Sequence, residues 1–397
     1  MEDRIAITGM GIVSAIGMNA AENLMSLKGN KHGISKIEHI DTTLKDKILV
    51  GEIKKTNLEL EEILGLPALN NFSRSSMLGA IAAKEAIGDA EINTEGNTSI
   101  GFVNSTTVGG MDMIEQFYDN FLEKKEHQHY IEVHDAGSNT DLISEYLGIN
   151  GFVTTISTAC SSVANAIMLG ARMIKSGRLD QVIVGGMDGL CKFTINGFNT
   201  LMILSETYNQ PFDENRKGLN LGEGAAYLVL ESEKSYKKRG KTPLAFLKGY
   251  ANANDAYHQT ASSEQGDGAF LAMKSAFEVA NMKPEEIDYV NAHGTATPNN
   301  DLSEGRAMVN IFNNKVPDFS STKPFTGHTL AAAASVEAVY SIFALRENLV
   351  FPSLNFVENM KEFNLTPQQK LEEKEVSAVL SNSFGFGGNC SSLIFVK

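Results

Sequence analysis

Along the chain, short apolar runs rich in β-branched residues and closed by glycine alternate with longer stretches whose apolar positions recur every three or four residues. The first kind reads as strand and the second as helix, because side chains repeat every two residues in a strand and every 3.6 in a helix. Strands are expected at 5–9, 100–103, 154–157, 182–186 and 226–230, and again at 245–247, 289–291, 378–380 and 393–396. Several of them, such as Val182-Ile183-Val184 and Leu393-Ile394-Phe395-Val396, are apolar at every position rather than at alternate ones. That continuity belongs to a sheet covered on both faces, and so to an α/β fold.

The helical segments fall into two kinds. Segments 76–90 and 268–280 each carry one apolar stripe and are expected to cover one face of a sheet. Segments 161–174 and 330–345 are apolar or small almost all round, with Ala164, Ala166, Gly170 and Ala171 in the first and Ala331 to Ala334 in the second. Such helices offer no side to water, and their small residues let sheets approach from both sides. The polar stretch Glu231 to Lys241 lies between them, so two halves are expected, 1–242 and 243–397, each with one buried helix. No short-period repeat or low-complexity segment interrupts this duplicated, layered plan.

Composition narrows the function more than the fold. The 397 residues are 42% hydrophobic and 21% charged, an ordinary globular balance, and a chain this long buries a core without disulfide or metal staples. A net charge of −14 argues against nucleic acid or an anionic membrane surface as the main partner. Cys160, Cys191 and Cys390 form no CxxC pair, their number is odd, and Met1-Glu2-Asp3-Arg4 does not open a secretion signal. A reducing, cytoplasmic setting is the expectation. The longest weakly polar stretch, 330–345, is too short to cross a bilayer and contains Glu337.

Each of the two apolar helices is preceded by a reactive residue. Cys160 lies in Ser157-Thr158-Ala159-Cys160-Ser161-Ser162, between a strand and the first such helix. The unpaired N–H groups and positive dipole end there are expected to favour thiolate over thiol. His328 closes Lys323-Pro324-Phe325-Thr326-Gly327-His328 just before the second helix, and His293 sits in Asn291-Ala292-His293-Gly294-Thr295-Ala296-Thr297-Pro298 at a strand end, where rigid sheets present functional groups. No HExxH or clustered Cys/His spacing calls for a metal. The loop Ser381 to Cys390 is glycine-rich but leads into a strand, which suits close approach of backbone to a ligand better than a phosphate cradle. Taken singly, a buried cysteine and two loop histidines also fit a purely structural role.

Taken together and in this order, the segments resemble the β-ketoacyl-(acyl-carrier-protein) synthases, the Cys–His–His condensing enzymes of the thiolase superfamily. The resemblance runs from Ile5-Ala6-Ile7-Thr8-Gly9-Met10-Gly11 to the end of the chain. Its matches are Thr158-Ala159-Cys160-Ser161-Ser162, Asn254-Asp255-Ala256-Tyr257-His258, Asn291-Ala292-His293-Gly294-Thr295, Ser321-Thr322-Lys323, Thr326-Gly327-His328 and Asn382-Ser383-Phe384-Gly385-Phe386-Gly387-Gly388. The elongating synthase II type is the nearest branch. Initiating synthases have His and Asn in place of the two histidines, and biosynthetic thiolases carry a second catalytic cysteine in the C-terminal loop.

The resemblance implies a thiolase-like duplicated five-layer αβαβα fold with two buried central helices, assembled as a homodimer. It implies that Cys160 takes an acyl group from a carrier thioester, with its own N–H and that of Phe386 forming the oxyanion hole. His293 and His328 would stabilise the enolate left when malonyl carrier protein loses CO₂, and attack on acyl-Cys160 would give a β-ketoacyl product two carbons longer. Lys323 would set the charge balance around His328, with Glu337 as its structural partner. Thr295 and Thr297 would bind the pantetheine arm, Phe386 would gate the site, and Ile114 would floor the acyl pocket. Asp255 and His258 read as scaffold, and Cys191 and Cys390 as small buried hydrophobes. The implied partner is an acyl carrier protein, and no cofactor is expected beyond the phosphopantetheine that the substrate carries.

Two departures stand out. Asn389-Cys390 replaces the family's usual Thr-Asn after the Gly-Gly pair, which puts the loop's hydrogen bonding in question. In housekeeping members an Arg/Lys-rich segment helps to dock the acidic carrier. Here Leu66 to Arg74 holds Arg74 as its only cation, Leu201 to Ser205 has none, and Lys124-Lys125 is flanked by Glu123 and Glu126. A dedicated ketosynthase of a polyene or polyketide pathway therefore stays open beside fatty-acid elongation. A non-catalytic chain-length partner is disfavoured by the retained Cys160, His293, His328 and Lys323. A degradative thiolase is disfavoured because Phe386-Gly387-Gly388 supplies no second cysteine.

Overall fold

The computed structural model describes residues 4–124, 130 and 135–397. Ten strands form one sheet: β1 (Ile5–Ser14), β2 (Ile100–Ser105), β3 (Val153–Ile156), β4 (Gln181–Asp188), β5 (Gly224–Glu231), β6 (Ala245–Asn254), β7 (Tyr289–Asn291), β8 (Asp318–Ser320), β9 (Ala378–Gly385) and β10 (Asn389–Val396). Their spatial order is β8-β7-β9-β10-β6-β1-β5-β4-β2-β3. Outward from the centre, the first five run first, fifth, fourth, second, third, and the second five do the same. The duplication is thus written into the topology. Two separate sheets were expected; instead β1 and β6 pair antiparallel through Ile5–Leu247, Ala6–Phe246 and Ile7–Ala245. That short ladder satisfies two edges that would otherwise meet the core unpaired.

Alternation along the strands builds the layers. Val182, Val184, Leu228 and Leu230 point to the same core as helix α2 (Ser162–Lys175), while Ile183, Tyr227 and Val229 point to the opposite face, under helix α1 (Arg74–Ala90). In the second half Val379, Leu393 and Phe395 join the central core, and Ala378, Leu380 and Ile394 face helix α3 (Asp267–Ala280). Helix α4 (Pro298–Ile311) packs beside α3 on that outer face. The central layer holds α2 and helix α5 (Ala333–Glu347), which is buried from Ala333 to Leu345. Helix, half-sheet, paired helices, half-sheet and helix make the five expected layers. Gly11 shows how tightly they fit: a Cβ there would lie 2.1 Å from the Ala82 carbonyl of α1.

The sequence reading misplaced a few boundaries. Strand β8 was missed, since Phe319 is its single large apolar residue and Pro317 precedes it. The stretch 330–345 begins as a 3₁₀ turn, Leu330–Ala332, and becomes α-helical only at Ala333. Among the described residues no helix is long and apolar enough to cross a membrane.

Candidate active site

The duplication also places the reactive groups. Cys160 follows β3, the third strand of the first half, and leads into α2; His328 follows β8, the third strand of the second half, and leads into α5. His293 follows β7, and Phe386 lies at the tip of the β9–β10 hairpin. The Cys160 Sγ and one ring nitrogen of each histidine all lie within 4.8 Å of one another, and all three residues are buried. The two imidazole rings stand nearly perpendicular, at 86°, with centroids 5.4 Å apart.

Hydrogen bonds on the far side of each ring fix what the rings offer. The Lys323 ammonium lies 3.3 Å from His293 Nδ1 and donates to the His293 carbonyl at 2.5 Å. An ammonium only donates, so Nδ1 accepts and the proton of a neutral ring sits on Nε2. At His328, Nδ1 accepts the Leu330 N–H at 3.2 Å, with the same consequence. Burial, with the Lys323 charge second, holds both imidazoles well below their ordinary pKa, so both are neutral. The site therefore presents two neutral Nε2–H donors. Three such atoms could also hold zinc, but a metal-bound imidazole nitrogen must be unprotonated, with the proton on the other nitrogen. Both Nδ1 atoms already face donors, which opposes that arrangement.

Lys323 was expected to set the charge balance around His328; its charge does reach that ring, while its hydrogen bonds go to His293. It is 3% exposed and ion-paired with Glu337 on α5, whose carboxyl is pushed up to about 7 by burial against the pull of Lys323. The His293 loop has a second anchor that the sequence reading missed. Glu304 on α4 accepts the N–H groups of His293 (2.9 Å) and Gly294 (2.8 Å), and Asn382 Nδ2 at 3.2 Å. A fully buried glutamate facing the loop from α4 was the available signal, but burial of one helical position is not legible in one sequence. His328 is held by the first half: its N–H donates to the Asn220 carbonyl and its carbonyl accepts the Gly222 N–H. Gly222 is required there, since a Cβ would meet the Thr326 carbonyl at 2.1 Å.

The turn before Cys160 puts Ala159 at φ +52°, a conformation that costs a non-glycine residue on the order of 1 kcal/mol and recurs at functional sites. Ser162 braces it, accepting from the Thr158 N–H at 2.8 Å and donating to the Ala159 carbonyl at 2.5 Å. The backbone N–H groups of Phe386 and of Cys160 itself pull the thiol's pKa down. The expectation of a favoured thiolate is nevertheless overturned. Burial pushes the Cys160 thiol up to about 11, and Lys323 and the two N–H groups offset only part of that. In the free protein, alkylation of Cys160 by iodoacetamide should therefore rise about tenfold per pH unit between roughly pH 7 and 9 without levelling off. Rates followed by mass spectrometry across that range check it; a plateau near pH 7 would mean a stabilised thiolate.

Cys160 sits where two cavities meet. One, of about 380 Å³, opens past Thr295, Thr297, Met202 and Asn300 to His293 and His328. The other, of about 440 Å³, is mostly apolar, with Val108, Phe193, Leu201 and Leu330 in its wall. Phe386 and Phe198 line both and stack at 5.8 Å. Thr295 and Thr297 share a 2.8 Å hydroxyl contact at the entrance. Ile114, expected on the acyl-pocket floor, is half-buried on the helix Met111–Phe117 and lines neither cavity.

The Asn389-Cys390 departure acquires a structural account. Asn389 Oδ1 accepts from Ser161 (2.7 Å) and Asn165 (3.0 Å) on the Cys160 segment and from Asn252 on β6 (2.6 Å), so it ties the β9–β10 hairpin to both halves. Asp255 accepts from the Ser263 backbone and hydroxyl and from the Gly268 N–H, shaping the loop that follows β6, while His258 is exposed. Cys191 and Cys390 are buried, with thiols pushed up to about 12 by burial. Arg74, the single cation of the 66–74 segment, is 7% exposed and doubly hydrogen-bonded to buried Glu223 at 2.8 and 2.6 Å. Its guanidinium is turned into the fold rather than out to solvent. Lys125 and Glu126 lie outside the described residues.

Comparison with known proteins agrees with this geometry. Residues 2–235 match the family model for the β-ketoacyl synthase N-terminal domain, and residues 244–357 that for its C-terminal domain. The chain is 33% identical over 408 aligned residues to 3-oxoacyl-[acyl-carrier-protein] synthase 2 of Staphylococcus aureus strain N315, covering 99% of this chain and 98% of that one. Among solved structures it resembles the ishigamide ketosynthase/chain length factor, at 28% identity and TM-score 0.93 with both chains fully covered. It also resembles a ketosynthase from Xenorhabdus doucetiae solved in complex with its chain length factor, at 29% identity and TM-score 0.86 over 99% and 98% of the two chains. With its thiol, two imidazoles and β9–β10 hairpin arranged on a duplicated thiolase-like frame, the chain belongs to the β-ketoacyl synthase family of condensing acyltransferases.

Proposed function

We propose that the protein catalyses decarboxylative condensation of malonyl carrier protein with an acyl group held on Cys160. The observation that carries this is the meeting of the Cys160 thiol with one nitrogen of each of two neutral imidazoles, all within 4.8 Å of one another. In the first step Cys160 Sγ attacks the carrier thioester, the tetrahedral oxyanion rests on the N–H groups of Cys160 and Phe386, and the carrier thiol leaves with the Cys160 proton. In the second, the malonyl C–C bond breaks, CO₂ leaves, and the electron pair stays as a thioester enolate. Neutral imidazole donors stabilise that charge without protonating the carbon. The carbanion attacks the acyl carbonyl, the C–S bond breaks, and the Cys160 sulfur regains a proton. The nucleophile would come from half 1–242 and both imidazoles from half 243–397. Thr295 and Thr297 would hold the pantetheine arm, Lys323 would orient His293, and we read no cofactor beyond that arm. Three buried, unpaired thiols fit a cytoplasmic, reducing setting.

Fatty-acid elongation and a specialised polyketide or polyene pathway share this chemistry, and the relatives include both a 3-oxoacyl-[acyl-carrier-protein] synthase 2 and ketosynthases named with a chain length factor. The specialised reading gains support at the entrance. Arg74 is withdrawn into its ion pair, no Lys or Arg among the described residues lines the entrance cavity, and Met202 is 88% exposed at its rim. With a generic acidic carrier, condensation should show a high apparent KM that changes little with salt, because basic steering is lacking. Steady-state kinetics with several purified carriers, each with acyl and malonyl loads, test both points. A β-ketoacyl product two carbons longer, with an acylated Cys160 peptide in the mass spectrum, supports the reaction. Product formed without acyl-Cys160 would overturn it. A low KM rising steeply between low and moderate salt would remove the support for a specialised carrier.

The protein is expected to act as a homodimer. β3 ends the sheet, all four of its residues are only half-buried, and Phe152 beside it is 40% exposed. An edge strand with one side of its backbone unpaired is a template for pairing with a second chain. Light scattering at micromolar concentration should give twice the 43.0 kDa chain mass; a monomer would contradict this.

A further inference from the structure

Asp188 ends β4 and is fully buried, yet its partners are hydroxyl and amide groups rather than a cation. Oδ1 accepts from the Thr106 hydroxyl (2.6 Å) and from the N–H groups of Thr107 (3.0 Å) and Val108 (3.3 Å). Oδ2 accepts from the Thr107 hydroxyl (2.5 Å) and from the Ala331 N–H (2.9 Å). The first four donors belong to the segment after β2, in the first half; the last belongs to the turn after His328, in the second. Both ends of this bridge matter to the site. Thr107, Val108 and Leu330 line the apolar cavity at Cys160. The Leu330 N–H is the donor that holds His328 Nδ1, one residue before the N–H held by Asp188. Leu330 sits at φ +52°, a conformation that a leucine leaves unless its surroundings hold it.

We propose that Asp188 is a positioning residue for the condensation: it clamps the wall of the acyl cavity to the turn that fixes His328 as its Nε2–H tautomer. The enolate donor is then aligned only while the cavity wall is in place. This rests on the reading of His328 as an enolate donor, and it concerns alignment rather than contact with substrate.

The test is Asp188→Asn in the full-length protein. The amide sets an NH₂ group against N–H donors, so one of the two sides must let go. Since a single misaligned donor to the oxyanion is worth at most about 10²–10³, kcat for condensation and for malonyl decarboxylation should fall roughly 10- to 100-fold. KM for the malonyl carrier and single-turnover acylation of Cys160 should stay within about threefold, because they do not use His328. Long-range ¹H–¹⁵N correlations should show His328 passing from one tautomer to a mixture. Should Asp188→Asn not fold, Thr106→Val removes one donor to Asp188 without touching a cavity-lining residue, and should shift the same readouts in the same direction by a smaller factor. Parental kcat with a single Nε2–H tautomer would overturn the proposal. So would a parallel loss of kcat, KM and acylation with unchanged His328 signals, which is what a general structural role gives. If His328→Ala kept the parental decarboxylation rate, the role of His328 would fall, while the tautomer signal would still judge the clamp.

Discussion

Replacing Cys160 by glutamine should abolish condensation and leave malonyl decarboxylation running. The substitution removes the only atom able to carry the acyl group, so β-ketoacyl product should drop to the uncatalysed background. The glutamine amide has the size and planarity of an acylated cysteine, and its carbonyl can take the N–H groups of Cys160's own backbone position and of Phe386, which now serve the thiol. His293 and His328 keep their tautomers, because Lys323 and the Leu330 N–H hold them from the far side. Release of CO₂ from malonyl carrier, with acetyl carrier as product, should therefore persist at or above the parental rate. The assay is CO₂ release and product chain length on one sample. Detection of β-ketoacyl product would show that Cys160 is not the nucleophile.

His293→Ala should do the reverse. Decarboxylation should fall by about 10²–10³, the value of one preorganised donor to a developing oxyanion. Transfer of the acyl group to Cys160 relies on backbone N–H groups and should survive. Measured in the Cys160→Gln background, the loss belongs to the enolate step alone. The fold should persist, because the loop backbone stays pinned by Glu304 and the Lys323–Glu337 pair stays intact. A double variant that decarboxylates at the Cys160→Gln rate would remove His293 from the mechanism.

Much of the outline was legible in the chain because local rules govern it. Continuous apolar strands, single-striped outer helices and two helices that are apolar or small almost all round are properties of neighbouring residues, and they point to the layered architecture, although α2 turns Arg172 and Lys175 outward. The motifs around Cys160, His293, His328 and Phe386 singled out the reactive groups, since a nucleophile at a strand–helix turn and a histidine at a strand end leave local traces. The error over the thiol shows the limit. A helix N-terminus favours thiolate, but the depth of burial decides, and burial is set by segments far away in the chain.

The amino-acid sequence by itself determined the class of fold and the duplication, and its motifs, through a family resemblance, pointed to Cys160, His293 and His328 as the candidate reactive groups. Only the tertiary structure decided which ring nitrogens carry protons, that Lys323 serves His293, that Arg74 is locked to Glu223 and that Ile114 lies outside both cavities. It also decided that Asn389, Glu304 and Asp188 brace the site across long separations in the chain. The reason is physical. Periodicity and turn chemistry act over a few residues, whereas protonation, pairing and access depend on which distant groups share one desolvated space.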